Sequence, residues 1–343
     1  MKSNALFCIP RPFAQRLLFV WVLVACSMSV VAQTQELKVL VSIKPLALLL
    51  EPLLSDDKAA GSKLDILLPV NASPHRYALK VSDRQQLADA DLVVWVGPDM
   101  ERFLQKPLLS IDGAKTLAAM NVKGMRWPTF DDDHKGGNHG DSQKGDNRDA
   151  DSRADGGRAR SHYDEGIHDP HFWLDPVNAS AFVRAVAERL QVLNPAQSLA
   201  YQRRAQNLLA KIEKSDHKIR EKLKSLSRRP FVVSHDGFGH FINRYQLNQL
   251  AAIRTRVDSK PGARHLYTLR QRIATEKAQC IFIEPGENSG WGGRLANEMD
   301  LQAVVLDPLA REEHIEEYTE FIETLALAME DCLLEGKKKK PLH

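Results

Sequence analysis

The chain has 343 residues, enough for one or two domains with a sizeable core. Hydrophobic residues make up 43% and charged residues 27%, which excludes a multi-span membrane protein and a wholly disordered chain. The net charge of +3 equals the charge of Lys2, Arg11 and Arg16. The rest of the chain is neutral, which argues against nucleic acid as a partner.

Residues 1–32 have the three-part pattern of a secretory signal peptide. Residues 1–16 carry three basic and no acidic side chains, and an apolar run L-L-F-V-W-V-L-V-A follows. Ala32 occupies the −1 position of a cleavage site, and the uncharged run before it is shorter than the about 20 residues that span a bilayer. We therefore predict export and cleavage after Ala32. Cleavage before Cys26, in the lipoprotein-like box L-V-A-C, is the alternative.

Short apolar runs alternate with helical patterns in the first half of the exported chain. Residues 37–43, 64–68 and 91–96 predict strands, and a capping box of Ser82 and Gln85 predicts the start of a helix. This alternation predicts an α/β fold with a parallel sheet.

Residues 131–166 are acidic and rich in glycine, and Tyr163 is their only large apolar residue. Such a segment buries too little surface to offset the entropy of ordering it. We predict that this segment, extended to residue 168 at its edge, is a disordered loop. We expect this loop, 131–168, to lie over the functional site.

A helix over 176–193 ends at Asn194-Pro195, and the next helical pattern continues to about residue 226 without Gly or Pro. Thirty helical residues would measure about 45 Å, which favours a rigid strut. We predict an N-terminal lobe over 33–195, a linking helix over 196–228 and a C-terminal lobe over 229–343. The second lobe repeats the α/β pattern, with strands predicted at 230–234, 279–283 and 301–306, and helices at 264–277, 290–299 and 312–334.

Export would leave two cysteines, Cys280 and Cys332, in an oxidising compartment, where such a pair usually forms a disulfide. Closing a loop of about 50 residues would stabilise the fold by about 4 kcal/mol in the chain-entropy model. Two free buried thiols or a zinc-thiolate pair are the alternatives, and no C-x-x-C spacing supports the latter.

Three histidines stand at comparable positions near the ends of predicted elements. His75 lies in N-A-S-P-H, His171 in H-D-P-H-F-W-L-D-P and His235 in V-V-S-H-D-G-F-G-H-F. Asp307, in V-V-L-D-P-L, follows a strand in the same way. Ligands of parallel α/β sheets bind beyond the carboxyl ends of strands, and three imidazoles with one carboxylate would suit zinc. A lone histidine is more often structural, so the prediction depends on the joint pattern.

These motifs, together with V-S-I-K-P-L near the start, resemble the cluster A-I solute-binding proteins of metal-uptake ABC transporters, and specifically the zinc-binding ZnuA branch. The resemblance covers nearly all of the exported chain. It implies two parallel-sheet lobes joined by one long helix, with the metal between them. It implies ligands His75 and His171 from the first lobe and His235 from the second, with Asp307 or water as the fourth. It also supports the disulfide between Cys280 and Cys332.

The resemblance further implies a monomeric periplasmic carrier that delivers Zn²⁺ to an inner-membrane permease driven by a cytoplasmic ATPase. We also expect auxiliary metal binding by the acidic loop, whose histidines are His134, His139, His162 and His168. A manganese carrier, a metal-binding adhesin and a zinc enzyme that activates water are the alternatives. Histidine at position 235 favours zinc, because Mn²⁺ prefers oxygen ligands.

Overall fold

Two parallel β-sheets connected by helices make up the protein, as the sequence predicts. The structure is a computed structural model that describes residues 36–54, 62–127, 169–254, 260–286 and 289–335. Within these ranges no helix is long and apolar enough to cross a membrane. From Leu37 onward the described residues belong to one compact unit.

The first sheet has four parallel strands in the order β2-β1-β3-β4. Its central strands carry the most apolar runs and are almost entirely buried, as expected for a parallel sheet. The elements of this half are β1 (Lys38–Val41), α1 (Lys44–Leu54), β2 (Lys63–Ile66), α2 (Val81–Asp89), β3 (Leu92–Trp95), α3 (Arg102–Leu108) and β4 (Thr116–Ala118).

The second sheet repeats this topology, with parallel strands in the order β6-β5-β7-β8. Two helices precede it, α4 (Pro176–Leu193) and α5 (Ser198–Leu223). The remaining elements are β5 (Pro230–His235), α6 (Gly239–Tyr245), β6 (Asn248–Arg254), α7 (Ala263–Glu276), β7 (Cys280–Ile283), α8 (Trp291–Met299), β8 (Gln302–Val305) and α9 (Tyr318–Glu335).

The linking helix α5 is tied to the elements on both sides of it. Arg204 donates a hydrogen bond of 3.1 Å to the carbonyl of Leu53 in α1. Further along, Asp216 accepts a hydrogen bond of 2.9 Å from Nε of Arg244 in α6. One continuous apolar cluster extends from the first sheet through the buried face of α5 to the second sheet. A second cluster lies between the second sheet and helices α7 and α8.

The start of α2 differs from the predicted capping box of Ser82 and Gln85. The carboxylate of Asp83 accepts a hydrogen bond of 2.7 Å from the backbone amide of Lys80, whereas Gln85 donates to Asp89 one turn later. A carboxylate is the stronger acceptor for a backbone amide at a helix N-terminus, so Asp83, at the third helical position, binds the amide of the N-cap residue Lys80.

The predicted disulfide between Cys280 and Cys332 is confirmed. The two Cα atoms lie 6.1 Å apart, and the bond joins the first residue of β7 to α9. The alternatives of two free thiols and of a zinc-thiolate pair are therefore wrong.

Candidate metal centre

His75 lies in the loop that follows β2. The ladder of the first sheet continues past the strand, where the amide of Leu68 donates to the carbonyl of Ser42 at 3.1 Å. The chain then turns at Ser73–Arg76, where the amide of Arg76 donates to the carbonyl of Ser73 at 3.2 Å. This turn presents the half-buried His75 beyond the carboxyl end of the sheet.

His171 is fixed by the residues that follow it. Phe172, Trp173 and Leu174 form a short 3₁₀ turn and are fully buried. Asp175 then caps α4 by accepting a hydrogen bond of 2.9 Å from the amide of Val177. The buried aromatic turn anchors the backbone that carries His171 to the core.

His235 is the last residue of β5, and its side chain is buried. The backbone turns immediately after it, where the amide of Gly237 donates to the carbonyl of His235 at 3.0 Å. A Cβ atom at position 237 would lie 2.8 Å from Cε1 of His235 and 3.0 Å from Cε1 of His171. Only glycine therefore lets the backbone pass between the two rings.

The structure brings these three histidines together. Their ring centroids are 5.9 Å apart for His75 and His171, 6.1 Å for His75 and His235, and 5.5 Å for His171 and His235. Three imidazoles on one tetrahedral zinc ion, with Zn–N near 2.0–2.1 Å, would have centroids about 5 Å apart. No three His, Cys, Asp or Glu side chains of the described ranges already have the closed spacing of a metal-bound set. Closing the three rings on one ion would take an inward shift of roughly 1 Å or less.

Two of the rings are held from behind by carboxylates. Nδ1 of His171 lies 2.6 Å from Oδ1 of Asp169, and Nδ1 of His235 lies 2.7 Å from Oε1 of Glu284. An ionised carboxylate only accepts hydrogen bonds, so each Nδ1 carries a proton and donates it. In the neutral ring, Nε2 then keeps its lone pair for a metal.

Electrostatics keep both carboxylates ionised. Burial opposes the charge of Asp169, but its electrostatic interaction with His171 and the hydrogen bonds from that residue, with a smaller contribution from His240, lower its pKa to about 2. Burial likewise opposes ionisation of Glu284. The hydrogen bond from His235 and the electrostatic interactions with His235, His171 and Arg311 outweigh burial and lower the pKa of Glu284.

His240 belongs to the support of the site. Its Nε2 donates to the backbone carbonyl of Asp169 at 2.9 Å, and its Nδ1 accepts from Nδ2 of Asn178 at 3.2 Å. Burial lowers the pKa of His240, which keeps the ring neutral.

Asp307 lies two residues beyond β8 and is buried. Its Oδ1 accepts hydrogen bonds from the amide of Leu309 at 3.1 Å and from Nη1 of Arg311 at 2.9 Å. Its Oδ2 accepts from the backbone amide of Arg311. Both oxygens of the predicted fourth ligand therefore already have partners.

Comparison with known proteins decides the family. The family model described as "Zinc-uptake complex component A periplasmic", ZnuA, matches residues 39–332. The chain belongs to the ZnuA family. The members of this family are substrate-binding components of transport systems and not enzymes.

Relatives of known name agree with membership of the ZnuA family. The high-affinity zinc uptake system protein ZnuA of Haemophilus ducreyi is 32% identical over 297 residues, covering 86% of this chain and 93% of that protein. The ZnuA of Brucella abortus is 31% identical over 311 residues, covering 86% and 91%. The periplasmic zinc binding protein TroA from Treponema pallidum has the same fold, with a TM-score of 0.67 and 22% identity over 87% of this chain and 99% of that one.

Several predicted features lie outside the described residues. They are the signal peptide 1–32 with Cys26, the loop 131–168, and the auxiliary histidines His134, His139, His162 and His168. Their roles in this ZnuA-family chain stay predictions.

Three residues of the site were missed by sequence reasoning, namely Asp169, Glu284 and Arg311. Asp169 stands two residues before His171, and its carboxylate also accepts from the His171 backbone amide at 3.0 Å. Glu284 directly follows β7, which is the same strand-end position that pointed to His235. Those positions were available signals, whereas the pairing of Arg311 with Asp307 follows from the local turn.

Proposed function

We propose that this protein binds Zn²⁺ in the periplasm and delivers it to an ABC-type zinc importer. The observation that carries the proposal is the clustering of His75, His171 and His235, whose rings lie at centroid distances of 5.5–6.1 Å. Two of these rings have Nδ1 fixed by a carboxylate, which leaves Nε2 as a donor to the ion.

The donor set favours zinc over manganese. Neutral imidazole nitrogens suit Zn²⁺, whereas Mn²⁺ prefers carboxylate, carbonyl and water oxygens. The charge of the ion would be balanced by Asp169 and Glu284, which stand behind the rings rather than on the metal. The fourth position would go to solvent water or to a carboxylate, as in an open zinc site.

The family and the sequence support a periplasmic location and a membrane transporter as the partner. Residues 1–32 would direct export, and cleavage after Ala32 would release a soluble periplasmic protein. The partners would be an inner-membrane permease and its cytoplasmic ATPase, with the carrier acting as a monomer. The ion would be bound and released without a chemical reaction, so that this chain is a carrier and not an enzyme.

Competitive titration against a chromogenic chelator tests the proposal. The full exported chain, stripped of metal, should bind one Zn²⁺ tightly and Mn²⁺ much more weakly. His171→Ala should weaken zinc binding by about 100-fold or more, because it removes one of three ligands. His314→Ala is the matched control, since His314 is exposed and pairs with Glu312 at 3.3 Å. Unchanged zinc affinity in His171→Ala, or tighter binding of manganese than of zinc, would contradict the proposal.

A further inference from the structure

The backbone of Asp169, whose carboxylate binds the ring of His171, is itself held by another histidine. Nε2 of His240 donates to the carbonyl of Asp169 at 2.9 Å. His240 is the second residue of α6, the helix that begins four residues after His235, and it is buried. The support of His171 therefore comes in part from the segment that follows another of the three histidines.

Asn178 determines which nitrogen of His240 carries the proton. Nδ2 of Asn178 lies 3.2 Å from Nδ1 of His240 and can only donate, so Nδ1 is the acceptor and Nε2 keeps the proton. The orientation of the Asn178 amide is fixed by the backbone of Arg126. Its Oδ1 accepts from the amide of Arg126 at 2.7 Å, and its Nδ2 donates to the carbonyl of Arg126 at 2.8 Å.

These residues form a hydrogen-bond relay that ends at His171. Asn178 donates to His240, and His240 donates to the backbone of Asp169. The carboxylate of Asp169 accepts from both the amide and Nδ1 of His171, at 3.0 and 2.6 Å. All four residues are buried, so bulk water does not replace a lost bond, and a shift at one residue is passed to the next.

Gly239 brings α6 close to the carboxylate of Asp169 as well as to its backbone. A Cβ atom at position 239 would lie 2.9 Å from Oδ2 of Asp169. This oxygen makes no hydrogen bond within the described residues. The position of the carboxylate therefore depends on the packing of α6 against it and on the backbone bond from His240.

We propose that His240 is a positioning residue, which holds Asp169, and through it the ring of His171, in the orientation that binds the ion. Asn178 supports this role by fixing the tautomer of His240. The inference rests on the proposed zinc function and deepens it, because it names residues outside the ligand set that determine zinc affinity. Replacing a group that orients a ligating histidine changes metal affinity by about 10- to 100-fold, and the lower end applies to His240, which acts one bond further from the ion.

Replacement of His240 in the full exported chain tests the inference. Zinc affinity is measured by competition with a chromogenic chelator, and the geometry of the site is followed by the visible absorption of the Co²⁺-loaded protein. His240→Phe should lower zinc affinity by about tenfold and shift the Co²⁺ bands, because the new ring donates no hydrogen bond to Asp169. His240→Gln should keep zinc affinity within about threefold of wild type, since its terminal amide can donate to the same carbonyl.

His265→Phe is the matched control for the loss of this hydrogen bond. Nε2 of His265 also donates to a backbone carbonyl, that of Ala252, at 2.9 Å. This bond joins α7 to β6 and involves no member of the relay. His265→Phe should leave both zinc affinity and the Co²⁺ spectrum unchanged.

Gly239→Ala tests the same support with a smaller change, and it decides the question if His240→Phe fails to fold. The added methyl group would push against Oδ2 of Asp169, which should lower zinc affinity by about tenfold and shift the Co²⁺ bands. Gly262→Ala, at the start of α7, is its control, because a Cβ atom there meets no atom within 4 Å.

Wild-type zinc affinity with an unchanged Co²⁺ spectrum in His240→Phe would overturn the inference, as would the same result in Gly239→Ala where His240→Phe does not fold. A His240→Gln variant that loses as much affinity as His240→Phe would also overturn it, since the ring would then act by packing and not by its hydrogen bond. Failure of the proposed zinc function would show differently, as absent zinc binding in the wild-type chain.

Discussion

Glu101 is a fully buried carboxyl group that the metal centre does not use. Its Oε2 accepts hydrogen bonds from the amides of Val96 and Gly97, at 2.8 and 3.1 Å, in the turn after β3. Gly97 adopts a φ of 146°, and a Cβ atom there would lie 2.7 Å from Sδ of Met120. Burial outweighs these hydrogen bonds and raises the pKa of Glu101 to about 7.

The raised pKa of Glu101 makes the fold less stable as pH rises. The folded chain keeps this proton up to about pH 7, whereas the unfolded chain releases it near 4.5. The contribution of protonated Glu101 to the free energy of unfolding is therefore fully present below pH 4.5. It is lost as the pH rises to 7, which lowers the free energy of unfolding by up to about 3 kcal/mol. Urea unfolding of the metal-free protein measures this effect. Between pH 5 and pH 8, the free energy of unfolding of Glu101→Gln should rise relative to that of wild type by about 3 kcal/mol or somewhat less.

Glu276→Gln, on the exposed end of α7, serves as the control for that comparison and should follow the wild-type pH profile. If the free energy of unfolding of wild type and of Glu101→Gln depended on pH in the same way, the pKa of Glu101 would not differ between the folded and the unfolded chain.

At the scale of single residues, the sequence predicted the metal-binding rings better than their supports. His75, His171 and His235 each stand out because an imidazole in a distinctive motif near an element end is uncommon. Asp169 and Glu284 were missed although their positions, two residues before His171 and directly after β7, marked them as candidates, because the role of a carboxylate that orients a ring is recognised from the hydrogen bond itself.

At the scale of elements, the four inner strands and the edge strands β2 and β8 were predicted, whereas the edge strands β4 and β6 were not. The runs that became β1, β3, β5 and β7 lie inside the sheets, where both faces are covered. The two missed strands, β4 with T-L-A and β6 with N-Q-L-A-A-I-R, lie at sheet edges. An edge strand needs less apolar sequence, so its pattern is short or mixed with polar residues.

The disulfide between Cys280 and Cys332 joins elements that are far apart in the chain. It connects β7 to α9 across a sequence separation of 52 residues. Removing it in Cys280→Ala/Cys332→Ala should lower the free energy of unfolding by about 4 kcal/mol in the chain-entropy model, as measured by urea denaturation. Zinc affinity should change by less than about threefold, because neither sulfur is a ligand.

Reduction of the wild-type protein should reproduce the loss of stability caused by the double alanine variant. A loss below about 1 kcal/mol would mean that packing between β7 and α9, rather than the covalent link, holds this region. A large loss of zinc affinity would instead connect the disulfide to the metal centre.

At the scale of the whole molecule, the hydrophobic core of the described residues is continuous from one sheet to the other. Tyr201, Ile212 and Leu223 on the buried face of α5 belong to the same apolar cluster as Val94 of the first sheet and Phe231 of the second. Ion pairs on the surface also join α5 to the C-terminal part of the chain. Lys211 of α5 pairs with Glu317 at 3.4 Å, and Lys218 of α5 pairs with Glu323 of α9 at 2.5 Å. A close-packed interior of this kind resists a wide hinge motion.

Zinc loading should therefore move the rings without reshaping the molecule. The centroid distances of 5.5–6.1 Å already approach those of a bound set, so closure needs shifts of roughly 1 Å at the loops of His75 and His171. Small-angle X-ray scattering of the metal-free and zinc-loaded protein should give radii of gyration within about 1 Å of each other, unlike a hinge-closing carrier. His171→Ala, treated with the same zinc, is the control. If zinc lowered the radius of gyration of wild type by more than this and left that of His171→Ala unchanged, the two sheets would close on the ion as separate bodies. That result would contradict a continuous core.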